Sequence, residues 1–215
     1  MTHTDRHYIP AAGRHWRLPL YDLMAALLGA GPARRALVEQ AAPRPGDRVL
    51  DIGSGTGALA IEIKRRYPQA TVTGLEPDPR ALAMARRKAE RSGVSIRFDQ
   101  GFADALPYPD ESFDRVTSSL MFHHLSRPDK ERTLREVRRV LKPGGRLHLL
   151  DFDGPSDGDG FVSRRVHGNP LLRDNTEVRV LGLLSAAGFP DPKVVGRRAA
   201  RALRMRYYEA VAAGG

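Results

Sequence analysis

Three groups of residues in this 215-residue chain have types and spacings able to do chemistry. Asp51 precedes the run Gly53-Ser54-Gly55-Thr56-Gly57, Glu76 stands 23 residues beyond Gly53, and His123 and His124 adjoin each other after an apolar stretch. Gly53-x-Gly55-x-x-Ala58 satisfies the G-x-G-x-x-G/A pattern of loops whose backbone closely approaches a nucleotide-like ligand, and Glu76 falls near the expected place of a ribose-binding acid. A glycine-rich turn with no ligand satisfies the same pattern. Asp51 is the residue that discriminates between ligands. A fixed carboxylate at this point repels the pyrophosphate of a nicotinamide dinucleotide. S-adenosyl-L-methionine has no phosphate, and its ammonium and sulfonium are attracted by an acid. Glu76 is then free to accept the ribose hydroxyls in charge-assisted hydrogen bonds. The competing role for Asp51 is that of a helix cap.

Either histidine suits a general base near neutral pH if the group to be activated is a hydroxyl. The plainer role is for one ring to bind a backbone carbonyl and shape its loop. Two adjacent imidazoles without a third ligand nearby make a poor metal site. The acidic stretch from Asp151 to Gly160 fails the spacing of a calcium loop and reads instead as a flexible loop over an acceptor pocket.

The elements that must position these residues alternate strand and helix between 47 and 152. Strands are expected at Val49–Ile52, Thr71–Leu75, Ser95–Phe98, Arg115–Met121 and Arg146–Leu150. One helix follows the glycine run and stops before Pro68. A second is capped by Asp78 with Pro79 in its first turn, and a third opens at Ser126-Arg-Pro-Asp129. A further helix near 174–187 and two strands near 193–198 and 202–209 complete a doubly wound, seven-stranded α/β sheet.

Val49-Leu-Asp-Ile-Gly-Ser-Gly-Thr-Gly57 resembles motif I of the class I S-adenosylmethionine-dependent methyltransferases. Thr73-Gly-Leu-Glu-Pro-Asp-Pro79 is similar to their segment carrying the ribose-binding acid. Ala105–Val116 resembles their approach to the fourth strand, and Val140-Leu-Lys-Pro-Gly-Gly-Arg-Leu147 their motif before the fifth. The likeness covers roughly residues 40–210, with four motifs in the correct order, and points to the branch containing the ubiquinone and menaquinone biosynthesis methyltransferases. It implies a mostly parallel Rossmann-like sheet with an antiparallel last strand. It also implies a helical lid over residues 1–40 preceding a donor-binding domain over 41–215. The donor S-adenosyl-L-methionine would be held by Tyr21, Asp51, Gly53, Ser54, Gly55, Gly57, Glu76, Pro77, Gly101, Phe102, Ala103, Ser118 and Ser119. His123 and His124 are the candidates for chemistry, because in some members an acid–histidine pair occupies that loop. Tyr21 either touches the sulfonium or anchors the lid helix.

One departure stands out. Where the family usually has Gly-Asp-Ala after the third strand, this chain has Gly101-Phe102-Ala103. Adenine is then held by stacking on Phe102 and by the Ala103 amide, with Asp104 as a substitute acid, or else Phe102 simply packs in the core.

Composition narrows the field. With no cysteine, disulfides, thiolate metal sites and cysteine nucleophiles are excluded. No apolar run is long enough to cross a membrane and the amino terminus does not resemble a signal peptide, so a cytoplasmic protein is expected. The net charge is +10, and +7 of it falls on residues 164–206. If that charge has a purpose, it draws an anionic acceptor to that side. The leading expectation is methyl transfer to a small molecule. Methyl transfer to RNA or DNA is the alternative suggested by the charge, although nucleic acid is disfavoured by the loop Ser118-Ser-Leu-Met121. Donor binding without catalysis is the non-enzymatic alternative.

Overall fold

The computed structural model describes residues 30–154, 172, 175–200 and 203–214. In chain order the elements are α1 (Ala30–Ala41), β1 (Arg48–Ile52), α2 (Ala58–Arg66), β2 (Thr71–Glu76), α3 (Pro79–Arg91), β3 (Arg97–Gln100), β4 (Phe113–Ser119), a 3-10 turn (Phe122–His124), α4 (Arg127–Val140), β5 (Leu141–Phe152), α5 (Glu177–Ala186), β6 (Lys193–Ala200) and β7 (Leu203–Val211). The seven strands form one sheet in the order β3-β2-β1-β4-β5-β7-β6. β7 runs antiparallel to both its neighbours, and the pairs from β3 to β5 are all parallel. The expected doubly wound architecture, with its antiparallel last strand, is the one observed.

The central strands bury consecutive residues because both faces are covered, and successive side chains enter opposite layers. Val49 packs with Leu37 and Val38 of α1, Leu59 and Ile63 of α2 and Leu82 of α3. Its neighbour Leu50 joins the other layer, with Leu134 and Val137 of α4 and Val180 and Leu184 of α5. The chain leaves β1 outward through β2 and β3, then returns to the other side of β1 as β4. That reversal opens a crevice beyond the carboxyl ends of β1 and β4, the place where such sheets bind ligands.

Differences from the sequence reading have local causes. Helix α1 lies within the stretch assigned to the lid, yet Leu37 and Val38 are fully buried against the sheet, so this helix is part of the core. The expected lid positions 1–29, Tyr21 among them, and most of the loop from 151 to 160 lie outside the described residues. β3 sits two residues later than expected, since Val94 and Ile96 are spent packing the return from α3 against the core. β4 ends at Ser119 because Leu120 turns into the left-handed region at φ 57°. β5 begins at Leu141, which already pairs with Phe113 ahead of a register shift, so Pro143-Gly-Gly145 falls inside the strand.

His148 of β5 is fully buried, with neither ring nitrogen hydrogen-bonded; Glu209 is 3.9 Å away, beyond hydrogen-bond reach. Burial, reinforced by the charges of Arg115 and Arg146, pushes its pKa down to about 3. The unfolded chain therefore takes up a proton below about pH 6.5 that the folded chain refuses until about pH 3, so stability falls as pH drops through this window. By that linkage His148 accounts for about 2 kcal/mol of lost stability between pH 7 and pH 5. Urea unfolding of His148→Leu at the two pH values is expected to show a difference smaller by that amount than in the unaltered chain.

Candidate active site

The glycine run is fixed by its backbone. The Ser54 amide donates to the Leu75 carbonyl at 3.0 Å, which ties the loop to the end of β2, and the Gly57 amide closes a turn onto the Ser54 carbonyl at 2.8 Å. Gly53 has φ +65° and lies against Met121; a β-carbon there would meet the Met121 Cγ at 2.3 Å, closer than any side chain permits. Gly57 caps α2 at φ +81°.

Glu76, at the carboxyl end of β2, reaches back to this loop. One carboxylate oxygen accepts the Gly55 amide at 3.0 Å and the other the Asp78 amide at 3.1 Å. Burial raises its pKa, only partly offset by those two amides, and the charge of Asp78 adds to the rise. Asp51 is more enclosed, at 1% exposure. The register of β1 sets it between Gly74 and Thr117. The Thr117 hydroxyl donates to one of its oxygens at 3.2 Å, while the other, Oδ2, has no hydrogen-bond partner. Burial pushes its pKa up to about 7, held back by the Thr117 hydroxyl and the Ala60 amide and raised further by Glu76. This acid lies under the start of α2, beside the Ala60 amide.

Other polar atoms near the carboxyl ends of β1 and β4 are also buried and unpartnered: the hydroxyls of Ser54, Ser118 and Ser119, and Nδ1 of His124. Buried polar groups are ordinarily satisfied. A cluster of unsatisfied hydroxyls together with an unpaired acid fits a ligand carrying an ammonium and several hydroxyls, as S-adenosyl-L-methionine does.

In the loop after β3, the Gly101 amide donates to the Glu76 carbonyl at 3.3 Å and the Phe102 carbonyl accepts the Ala105 amide at 3.2 Å. The Pro77 carbonyl accepts the Gln100 side chain at 3.1 Å. Phe102 and Ala103 are half-buried at the rim, so Phe102 is not a core residue. Asp104, the substitute acid of the sequence reading, is engaged by Arg132 of α4 at 3.2 Å. Farther along this loop, Glu136 accepts the Leu106 amide at 2.8 Å, and Arg139 donates to the carbonyls of Leu106 and Tyr108 at 3.1 and 2.8 Å. Helix α4 thus staples the whole segment from Asp104 to Tyr108.

The two histidines differ. The His123 amide donates to Asp151 Oδ2 at 2.8 Å, and its ring Nδ1 lies 2.6 Å from Asp151 Oδ1. The edge of Phe152 packs 5.2 Å from the ring centre. Burial alone would raise the Asp151 carboxyl, but the charge and hydrogen bond of His123 and the amides of Phe152 and His123 outweigh it and hold the group below the usual carboxylate range. An ionised Asp151 places the His123 proton on Nδ1 and leaves Nε2 as the basic nitrogen. His124, its ring 4.0 Å from that of His123, is pushed down to about 4 by burial and by its neighbour's charge, and has no acid partner. The sequence reading paired the histidines with no acid. Asp151 was visible only as the first residue of an acidic loop, and the missing signal was the adjacency of β4 and β5 that sets their ends side by side.

Three of the arginines behind the +7 are engaged in ion pairs among the described residues. Arg206 pairs with Asp153 at 2.8 Å and with Glu177 at 2.6 Å, Arg204 with Asp153 at 3.6 Å, and Arg197 with Glu177 at 2.9 Å. These pairs tie β6 and β7 to Asp153 at the end of β5 and to Glu177 at the start of α5.

The raised pKa of Asp51 has a measurable consequence. Because the folded state holds this proton up to about pH 7 while the unfolded carboxyl releases it near pH 3.8, the ionisable acid destabilises the donor-free fold increasingly as pH rises between those values. Asp51→Asn, which retains an acceptor for Thr117, is expected to stabilise the donor-free protein by up to about 4 kcal/mol at pH 7 and hardly at all at pH 4. Denaturant unfolding at both pH values measures the difference.

A family model described as a methyltransferase domain matches residues 49–145. A demethylmenaquinone methyltransferase of Thermus thermophilus is 45% identical over 157 residues, which cover 72% of this chain and 70% of that relative. The ubiquinone/menaquinone biosynthesis C-methyltransferase UbiE of Xanthomonas oryzae is 41% identical over 139 residues; the match takes in 61% of this chain and about half, 54%, of that longer relative. Among solved structures, the YcgJ protein of Bacillus subtilis superposes with a TM-score of 0.72 at 23% identity, over 86% of this chain and 100% of that one. A Haemonchus contortus phosphoethanolamine N-methyltransferase, solved with S-adenosylhomocysteine, gives 0.72 at 16% identity, over 85% of this chain and 52% of that one. The sheet order, the glycine loop braced by Glu76 and these likenesses agree: the chain belongs to the S-adenosylmethionine-dependent methyltransferases of the ubiquinone and menaquinone biosynthesis type, enzymes that move a methyl group from that donor to a small molecule.

Proposed function

We propose that the chain methylates a ring carbon of a quinol acceptor of the demethylmenaquinol kind, with His123 as the general base and Asp151 as its orienting acid. The observation that carries this reading is the 2.6 Å pair of His123 and Asp151 at the ends of adjacent strands, beside the cluster of unpartnered polar groups. The names of the Thermus and Xanthomonas relatives support a quinone-derived acceptor. S-adenosyl-L-methionine, when bound, supplies a methyl group on a sulfonium whose leaving group is a neutral thioether.

The chain's own residues do the rest. Asp51 faces the donor's ammonium and loses its proton as it does so. The Glu76 oxygens, already aligned by the Gly55 and Asp78 amides, take the ribose hydroxyls. Phe102 and the Ala103 amide hold the adenine. The glycine run, Ser118 and Ser119 pack around the amino-acid end, and Tyr21 serves as a further contact of the donor. Nε2 of His123 removes the quinol hydroxyl proton, which raises electron density on the neighbouring ring carbon as that carbon takes the methyl group. The ring proton of that carbon then leaves to water, which restores aromaticity as the phenolate, and His123 returns its proton to the phenolate oxygen. His124 stays neutral and shapes the wall. Holding acceptor and methyl group in line in a dry pocket supplies most of the rate.

His123→Ala is expected to lower kcat by about 10²- to 10⁴-fold, the usual contribution of a general base, with donor affinity unchanged. Asp151→Asn follows it and His124→Ala loses far less. The assay is transfer of labelled methyl to a short-chain demethylnaphthoquinol kept reduced with dithiothreitol; equal losses in His124→Ala and His123→Ala would overturn the assignment. Asp51→Asn is expected to weaken binding of S-adenosylhomocysteine at least tenfold by calorimetry, the opposite of its effect on stability.

A further inference from the structure

Helices α4 and α5 lie side by side on one face of the sheet, and between them runs a cavity of about 530 Å³. Arg127, Glu131 and Arg135 form one stripe along α4, four residues apart, and Arg179, Gly182 and Leu183 a facing stripe on α5. The space persists because α5 presents small residues to it; a β-carbon added at Gly182 would meet nothing within 4 Å. The cavity lies outside the site described above. Helix α4, whose Arg127 lines it, begins three residues after the 3-10 turn holding His123 and His124.

The charges here do not cancel. Glu131 is taken up by Arg127 at 3.2 Å, and the nearby Glu177 by Arg197 and Arg206. Arg135 is exposed and has no ion pair among the described residues. Beside Arg179, Val178 presents an apolar side chain to solvent at 81% exposure, the most exposed large hydrophobic group among the described residues. Guanidinium groups suit phosphate diesters, to which they donate paired hydrogen bonds. An exposed aliphatic residue among arginines suits the boundary between headgroups and acyl chains.

We propose that this α4–α5 face docks on the surface of an anionic phospholipid leaflet, with lipid phosphates against Arg127 and Arg135 and Val178 set among the upper acyl carbons. The proposal rests on the quinol reading, since a prenylated quinol dissolves in the leaflet and has to be drawn from it. Docking through the starts of α4 and α5 turns the His123 end of the crevice toward that source.

The test is sedimentation of the full chain with vesicles of phosphatidylglycerol and phosphatidylcholine, against vesicles of phosphatidylcholine alone. Binding is expected only to the acidic vesicles. Each basic side chain near such a surface contributes about fivefold to partitioning, so Arg127→Ala with Arg135→Ala is expected to lower it by about 25-fold. Val178→Ser, a single change at an exposed position that leaves the fold undisturbed, is expected to lower it severalfold. Arg65→Ala with Arg66→Ala, on the opposite layer, is the control and is expected to stay within twofold. Equal losses in control and test variants, unchanged binding in the test variants, displacement by millimolar inorganic phosphate, or displacement by a short RNA at the same arginines would each overturn the proposal. Methylation of a short-chain, water-soluble quinol without vesicles separates the two readings. The Arg127→Ala, Arg135→Ala chain is expected to keep that activity. A chain that docks yet methylates no quinol refutes the acceptor reading, and a chain that methylates the quinol and does not dock refutes the docking.

Discussion

An acid sealed between two parallel strands, its proton held up to about pH 7 by burial, is the constraint around which the rest of the molecule is arranged. Asp51 is eased only in part by the Thr117 hydroxyl, the Ala60 amide and the charge of Arg34, and its Oδ2 has no hydrogen-bond partner among the described residues. A buried, unpaired acid is among the costlier things a fold can hold. It persists because β1 is gripped on both sides by parallel partners and covered on both faces by helices. Glu76 repeats the theme at lower cost, its charge spread over two backbone amides. Both acids are aligned before any ligand arrives, so binding does not have to organise them.

The parts of the site written within one strand–loop–helix segment were legible in the sequence. The acid, the glycines and the position of Glu76 obey spacings set by local backbone geometry, and the caps at Asp78 and Ser126 follow from residue type. What depends on contacts between distant segments was not legible. The partner of His123 comes from 28 residues away, and nothing in either segment reveals it until the sheet order is known. The engagement of Asp104 by Arg132 is hidden in the same way. Leu120 gives no hint of its left-handed conformation, because the fold imposes it from outside and residue type does not ask for it. The strand boundaries near Ser95 and Pro143 slipped because packing, not propensity, decides where a strand starts pairing.

The surplus of arginine reads differently once the pairs are seen. A net charge of +10 suggests a polyanion as partner when counted along the chain. In space, much of it is internal bracing: Arg132 and Arg139 hold the loop after β3, and Arg197, Arg204 and Arg206 converge on Asp153 and Glu177.

Helix α4 carries these facts to a common end. It leaves the histidine pair, grips the segment from Asp104 to Tyr108 through Arg132, Glu136 and Arg139, and packs its apolar side under β4 and β5. The loop that follows β3 and the turn that carries His123 are thereby mounted on a single chassis. Divergence in what is methylated can then proceed through α5, its preceding loop and the amino-terminal segment, as interchangeable fittings, without retuning the engine they attach to.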